Sequence, residues 1–459
     1  MDKSIKQALI KIVGEDNFTD KLIDLISYGS DASDVYHPPD CAVWARNTER
    51  VSAIMKLAND RRIPVTARGA GTGFSGVAVP LKGGIVLDMG RMNKILHISI
   101  EDRVAVVEPG VVYADLQAAL APTGFFYPPD PASGKVSTLG GNVATNAGGV
   151  KGAKYGTTRD YVLGLEVVLA DGSIMRTGSA CLKCVSGYDL TRIFVGSEGT
   201  LGIVTEITLK INPMPKVTAT CSATFDDISD AGKVVSRIMR SGVIPSVMEL
   251  MDEQCILSLN QVTDLNLPEA AAMLLAETDG FTKEETEYQM AEVLMAFEAC
   301  NAKTIYRAPS AAEAEKLWKA RKAIYGVVAR MNYNTIVEDV TVPITKVTEM
   351  LAGIRTISRK HGVLIPVLGH IGDGNLHPYI IYDGRNPEEA HRVVQVEEDF
   401  YNLVVELGGT LTGEHGIGLS KARFLPLEHD AVALRTMQNL KRMFDPNHIL
   451  NPGKMGLEA

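Results

Sequence analysis

Long apolar runs are missing from this 459-residue chain, and no stretch approaches the ~20 residues of a membrane-spanning helix. Its opening, MDKSIKQALIKIVGEDN, is too charged for a secretory signal. It reads instead as a short amphipathic helix, and the expected location is the cytoplasm. Basic charge is also in short supply. The 46 Lys and Arg against 55 Asp and Glu leave a net charge of −9, which gives no electrostatic footprint for nucleic acid. Cysteine is sparse: Cys41, Cys181, Cys184, Cys221, Cys255 and Cys300 are scattered, and only CLKC (181–184) has metal or redox spacing. One CxxC without a second pair is a weak signal, so these are read as reduced structural thiols. No group of four close cysteines is present to hold an iron–sulfur centre. What is abundant is glycine, 42 residues, in a chain that is 46% hydrophobic. That is a globular composition rich in tight turns, long enough for two or three domains. Its core can be large without disulfides or a structural metal.

Residues 1–34 read as helical, and TERVSAIMKLANDRR (48–62) as a helix capped by Thr48. From about 63 to 211 short strands alternate with glycine loops, and the Asp171-Gly172 turn marks a hairpin over 165–178. LGIVTEITLKI (201–211) alternates as a half-buried strand, and Pro213 and Pro215 mark a boundary. Beyond it, strand-like and helical segments interleave: helices over 226–241, 282–299, 310–331 and 345–360, and a hairpin over 363–382. Ser310 and Glu313 form a capping box for the third. The expected architecture is α+β, with helices on one face of an antiparallel sheet. Helices over 390–407 and 430–443 and the tail NPGK (451–454) close the chain.

RGAGTGFSG (68–76) contains a literal GxGxxG at Gly71, Gly73 and Gly76. A dinucleotide fingerprint needs a helix to start inside the motif, and VAVPLKGG with Pro80 cannot be that helix. Two more clusters follow, STLGGNVATNAGGVKGAKYG (137–156) and GSEGTLGIV (196–204). Three such loops, each with small hydroxyl or amide residues, can present many backbone N–H groups to one large anion. An extended diphosphate cofactor suits them better than a single phosphate.

GHIGDGNLH (369–377) sets His370 and His377 across a tight turn, where both imidazoles can face one point. Downstream, TGEHGIG (412–418) puts Glu414 and His415 between glycines that permit a kink. Two histidines and a carboxylate make a three-ligand site for Zn²⁺, Fe²⁺ or Mn²⁺; the other reading is a hydrogen-bonded polar turn without metal. In helix 310–331, Arg321 falls in the middle of the stripe formed by Ala314, Leu317, Trp318, Ile324, Tyr325 and Val328. Its charge cannot be shed and needs an anion when buried. That anion is either an internal carboxylate or, held bidentately, a substrate carboxylate.

PVTARGAGTGFSG, PPDPASGKVSTLGGNVATNAGG, GYDLTRIFVGSEGTLGIVTE and NPGK resemble the FAD-linked oxidases, also called the vanillyl-alcohol oxidase or PCMH type. LWKARKAI, EDVTVP, GHIGDGNLH and GEHGIG extend the likeness to the branch of D-lactate dehydrogenases and glycolate oxidase catalytic subunits. The resemblance runs from about 36 to 454. It implies an N-terminal helical segment (1–35), a PCMH-type FAD-binding domain (36–213), a ferredoxin-like α+β cap (214–420) and a C-terminal helical segment (421–459) returning to the flavin domain. Carried over residue by residue, FAD falls to Arg68, Gly69, Gly71, Thr72, Gly73, Ser75 and Gly76 in the first loop. Pro131, Ser137, Gly140, Gly141, Ala144, Thr145 and Gly148 follow in the second, then Glu198, Gly199 and Ile203, and Asn451 in the tail. Some relatives carry a flavin-linked histidine where Thr72 stands, so noncovalent FAD is expected.

The resemblance also places a substrate-binding arginine at Arg321, and it favours a divalent metal on His370, His377 and Glu414. The expected reaction is oxidation of a small D-2-hydroxy acid, D-lactate to pyruvate, by hydride transfer to flavin N5. The metal acidifies the hydroxyl, His415 takes its proton, and Asn375 holds substrate or orients a ligand. Tyr325 and Tyr379 are further neighbours. Electrons pass to electron-transfer flavoprotein or an iron–sulfur partner subunit. Glycolate and D-2-hydroxyglutarate are the alternative substrates. Val337 and Glu338 stand where relatives acting on the diacid carry a lysine, which favours a short monoacid. A metal-dependent hydrolase without flavin and a non-catalytic flavin carrier are the competing classes.

Overall fold

The computed structural model describes residues 2–458. The chain divides into two compact units: 1–148, 156–214 and 414–459 form the first, and 149–155 with 215–413 form the second. The second stretch of the first unit ends at Met214, where the sequence reading set a domain boundary at 213/214. The return to the first unit, expected at 421, comes at Glu414, and Gly149–Tyr155 joins the second unit.

Besides a two-stranded ribbon in which Asn212–Pro213 pairs with Phe125–Phe126, the first unit holds two main sheets. In one, Cys41–Trp44, Ile85–Asp88 and Val65–Arg68 run parallel, and Phe18–Thr19 adds an antiparallel edge. In the other, Ile95–Ser99, Val104–Val107, Ile203–Lys210, Val162–Val168 and Ile174–Gly178 lie antiparallel in that order. Ile203–Lys210 alternates buried and half-buried residues, as its sequence pattern requires of a one-sided strand. The Thr48–Arg61 helix buries Val51, Ile54, Met55 and Ala58 against the parallel sheet. Its cap is Asn47, whose side chain accepts the Arg50 N–H; Thr48, expected in that role, donates instead to Glu166. The residues read as one N-terminal helical segment form two helices, Lys3–Val13 and Leu22–Tyr28.

The second unit is built on one large antiparallel sheet. Its main path runs Thr304–Arg307, Val217–Phe225, Ala272–Gly280, Val247–Asp252, Val367–His370, Asn375–Tyr382 and Asn334–Val337. The one-sided helical cover expected from the sequence is corrected by the structure: helices lie on both faces. Ile228–Arg240, Lys283–Ala299, Val347–His361 and Pro387–Glu406 pack together on one side. On the other, Glu253–Val262 and Ala311–Val328 cover Met251, Met273, Leu368, Tyr379 and Ile381. Every residue of Val247–Asp252 is buried, which a sheet exposed on one face does not allow. Ser310 caps the Ala311–Val328 helix by accepting the Glu313 N–H at 3.3 Å. The reciprocal half of the expected box is not made, because Glu313 pairs with Lys316.

Candidate active site

The first unit contains a cleft into which all three glycine loops turn. Arg68, Gly69, Gly71, Thr72 and Gly73 line it from the first loop, with Pro131, Ser137, Gly140, Gly141, Ala144 and Thr145 from the second. Glu198, Gly199 and Ile203 line it from the third, and Phe74, Asn142, Glu414 and His415 complete the wall. Backbone geometry explains the glycines. Gly71 and Gly199 both sit at φ +69°, left-handed conformations that a Cβ disfavours. At Gly140 a Cβ would stand 2.9 Å from the Pro109 carbonyl oxygen.

Ser75, Gly76, Gly148 and Asn451 are not among the residues lining the cleft, and two of them, Ser75 and Asn451, tie its loops together. The Ser75 hydroxyl donates to the Gly416 carbonyl at 2.9 Å. Asn451 donates from Nδ2 to the carbonyls of Val77 (3.0 Å) and Glu198 (2.7 Å), tying the tail to the first and third loops. The guanidinium of Arg68 is likewise spent on the Ser27, Ser30 and Ala78 carbonyls.

Glu198 is more than a lining residue. It is 2% exposed, and its carboxylate accepts the Ile417 and Gly418 N–H groups at 2.7 and 2.9 Å. Those residues lie two and three positions after His415, so Glu198 fixes the turn that presents His415 to the cleft. Burial pushes its carboxyl up to about 7, against the pull of the two N–H groups and of Lys454 and Lys421. The His415 ring lies against Phe74, with centroids 5.0 Å apart.

In the second unit the sheet gathers a charged cluster beneath the Ala311–Val328 helix. Alternation places Glu249 and Met251, Leu368 and His370, and His377 and Tyr379 on the same face. Leu250 pairs with Gly369, so the antiparallel register sets Glu249 opposite His370. The Glu249 carboxylate takes one cation-capable group on each oxygen: Arg321 Nε donates to Oε2 at 2.5 Å and His370 Nδ1 to Oε1 at 2.5 Å. Glu249 is 1% exposed and the Arg321 side chain 14%. Burial pushes the carboxyl up, but Arg321 and His370 outweigh it and hold Glu249 below the usual carboxylate range. Burial also opposes the charge on Arg321, and Glu249 more than restores it.

Among the described residues, Nε is the Arg321 group with an acceptor, so the two Nη groups retain the fork that grips a carboxylate. His377 lies beside His370, ring centroids 5.0 Å apart, and its Nδ1 donates to the Glu338 carbonyl at 3.3 Å. A neutral imidazole that donates from Nδ1 carries its lone pair on Nε2, the tautomer that ligates a metal. Asn375 spends its amide donors on Asp339, Val340 and Thr341. Tyr379 is buried, and its ring centroid is 6.4 Å from that of the more exposed Tyr325.

The expected site residues are thus divided. Arg321, His370, Asn375 and His377 belong to the second unit, and Glu414 and His415 to the first. Glu249 was not foreseen, because Val247–Asp252 was not read as a strand. The available signal was a lone carboxylate inside the apolar run VMELM, which demands a buried partner.

The cleft passes a test for a large cofactor. Ser137 Oγ and Asn142 Nδ2 are buried at its wall without a hydrogen-bond partner among the described residues, which positions them to bond a ligand. Comparison with known proteins defines the class. Residues 39–178 match the family described as FAD binding domain, and 214–455 match FAD linked oxidases, C-terminal domain. The chain belongs to the FAD-linked oxidase family and carries the PCMH-type α+β fold. Among its relatives, glycolate oxidase subunit GlcD of Bacillus subtilis is 43% identical, over 99% of this chain and 97% of that protein. The mitochondrial D-lactate dehydrogenase [cytochrome] of Arabidopsis thaliana is 33% identical, over 97% and 79%. Among solved structures, p-cresol methylhydroxylase superposes with a TM-score of 0.81 at 22% identity, covering 99% of this chain and 96% of that one. No helix among the described residues is long and apolar enough to cross a membrane.

Proposed function

We propose that this protein is an FAD-dependent dehydrogenase of a small 2-hydroxy acid, with D-lactate as substrate and pyruvate as product. The observation that carries the reading is the buried Arg321–Glu249–His370 cluster with His377 alongside. It combines a guanidinium whose fork can grip a carboxylate with two histidines that each turn Nδ1 to an acceptor, leaving Nε2 of the neutral ring for a metal. The names of the relatives, glycolate oxidase and D-lactate dehydrogenase, fit an alcohol beside a carboxylate.

When bound in the cleft of the first unit, FAD supplies a two-electron acceptor for the C2 hydrogen. With Thr72 where a flavin-linked histidine would stand, it is held noncovalently by the loops around Ser137, Asn142 and Gly199. A divalent metal, Zn²⁺, Fe²⁺ or Mn²⁺, held by His370, His377 and Glu414, supplies a Lewis acid for the 2-hydroxyl. Gly413, the residue before Glu414, packs on Asn375 and Thr341 beside the histidine hairpin. Arg321 holds the substrate carboxylate through its two Nη groups. His415 accepts the hydroxyl proton on its imidazole as C2 loses its hydrogen. Asn375 positions the Asp339–Thr341 segment next to His377. Electrons then leave to electron-transfer flavoprotein or an iron–sulfur partner subunit, since the six cysteines are dispersed free thiols.

Glycolate is the second reading, favoured by the 43% identity to a glycolate oxidase subunit. D-2-Hydroxyglutarate fits less well: a second carboxylate needs a further cation, and Glu338 is a buried acid bonded to Tyr401. Anaerobic mixing with D-lactate, L-lactate, glycolate and D-2-hydroxyglutarate tests the assignment. D-Lactate is expected to bleach the flavin fastest. Faster bleaching by glycolate transfers the assignment, and bleaching by none of the four contradicts the function.

A further inference from the structure

We propose that Glu249 is the positioning residue of the site, one carboxylate that sets both the aim of Arg321 and the tautomer of His370. The inference rests on the functional reading above and extends it to a residue that neither touches substrate nor ligates metal. A buried carboxylate can only accept, so Nδ1 of His370 must carry a proton, and in the neutral ring, the form that ligates a metal, the lone pair then falls to Nε2. The second oxygen takes Nε of Arg321, the one guanidinium nitrogen that a bidentate grip on substrate does not need. Cross-strand register holds Glu249 opposite His370, so neither bond depends on a flexible loop. Glu249 lies on a strand buried on both faces, where an acid serving stability alone is a poor choice.

Glu249→Gln makes the idea testable without changing shape. A glutamine has one accepting atom where glutamate has two. If its oxygen keeps Arg321, its NH₂ faces His370 Nδ1 and drives the proton to Nε2, spoiling the ligand. If its oxygen keeps His370, its NH₂ faces the guanidinium and turns Arg321 aside. Glu249→Asp keeps both accepting oxygens but falls one methylene short, so it should rescue in part.

The test uses the full-length flavoprotein. Zn²⁺ is the probe, because an N/O donor set holds it more tightly than Mn²⁺ or Fe²⁺. Zn²⁺ affinity is measured by competition with a chromophoric chelator, histidine tautomers by ¹⁵N spectra of histidine-labelled protein, and D-lactate KM and kcat by flavin reduction. Glu249→Gln is expected to weaken Zn²⁺ about 10- to 100-fold or to raise KM by a similar factor. It should also change the tautomer signal of one histidine while flavin content stays at the wild-type level. Glu249→Asp should fall between. Wild-type Zn²⁺ affinity, KM and tautomer spectrum in Glu249→Gln would overturn the role of Glu249 and leave the functional reading standing. A wild-type protein with no measurable Zn²⁺ affinity would overturn the metal reading and, with it, this coupling. Loss of flavin together with Zn²⁺ in both variants would show a folding role and overturn positioning.

Discussion

The cleft of the first unit and the cluster of the second are built from different materials. The cleft is mostly backbone: glycines at positive φ, a few hydroxyl and amide side chains, and loops tied together by Ser75, Glu198 and Asn451. The cluster is side chains alone, with Arg321, Glu249, His370 and His377 projected from one helix and three strands onto one face of a sheet. A backbone site is sensitive to added atoms and indifferent to most chemistry. A side-chain site depends first on its charges and on which atom donates to which. Mutations in the two regions should therefore fail in different ways.

The largest expected effect would blur that contrast. His415 belongs to the first unit and lines its cleft, yet in the proposed reaction its part is chemistry rather than shape. His415→Ala should slow flavin reduction by D-lactate about 10²- to 10⁴-fold while the protein stays yellow; stopped-flow absorbance reads both. Retention of wild-type speed would remove His415 as proton acceptor. Next, Arg321→Lys keeps the charge but loses the fork. A loss of about 100-fold in kcat/KM is expected, equivalent to ~3 kcal/mol of charge-assisted hydrogen bonding. Flavin content should be unchanged, which places the loss in the second unit alone.

Gly140→Ala is the opposite probe. Its methyl group would meet Pro109, whose carbonyl oxygen is 2.9 Å from the new carbon. Purified protein should carry several-fold less flavin while Zn²⁺ affinity holds, as absorbance ratios and chelator competition would reveal. Equal loss of both would erase the distinction between the regions.

The smallest effect is on stability. Folding holds a proton on Glu198 up to about 7, where the ordinary value is 4.5. Between those values the unfolded chain gives up a proton that the folded one keeps. The contribution of Glu198 to stability therefore falls as pH rises from about 4.5 to about 7 and is flat on either side. Glu198→Gln does not titrate. The melting temperature of the variant relative to wild type should climb through that window, by the equivalent of about 3 kcal/mol at most. A constant difference from pH 4 to 8 would show that Glu198 is ionised throughout, held so by the two N–H groups.

The same contrast governs what the sequence revealed. Glycine spacing is written locally, so the three loops that line the cleft could be read directly. The histidine hairpin was legible too, because seven residues and a tight turn suffice to bring His370 and His377 together. Arg321 stood out as a charge in an apolar stripe, but which anion it meets depends on a strand 72 residues away. That strand was hidden because its apolar run, buried on both faces, lacks the alternation that marks a half-buried strand. Asn47 in place of Thr48 as helix cap was a one-residue ambiguity that only backbone geometry resolves. The loop-tying roles of Ser75 and Asn451 involve partners 341 and up to 374 residues distant, beyond any local pattern.

The most direct test of the central claim is anaerobic reduction by D-lactate before and after divalent metal is removed with a chelator and restored. The account predicts full flavin bleaching by the intact protein, at least tenfold slower bleaching after metal removal with the flavin still bound, and recovery on adding metal back. Unchanged bleaching in metal-free protein would contradict it, because the His370–His377 pair would then have no part in the reaction as metal ligands.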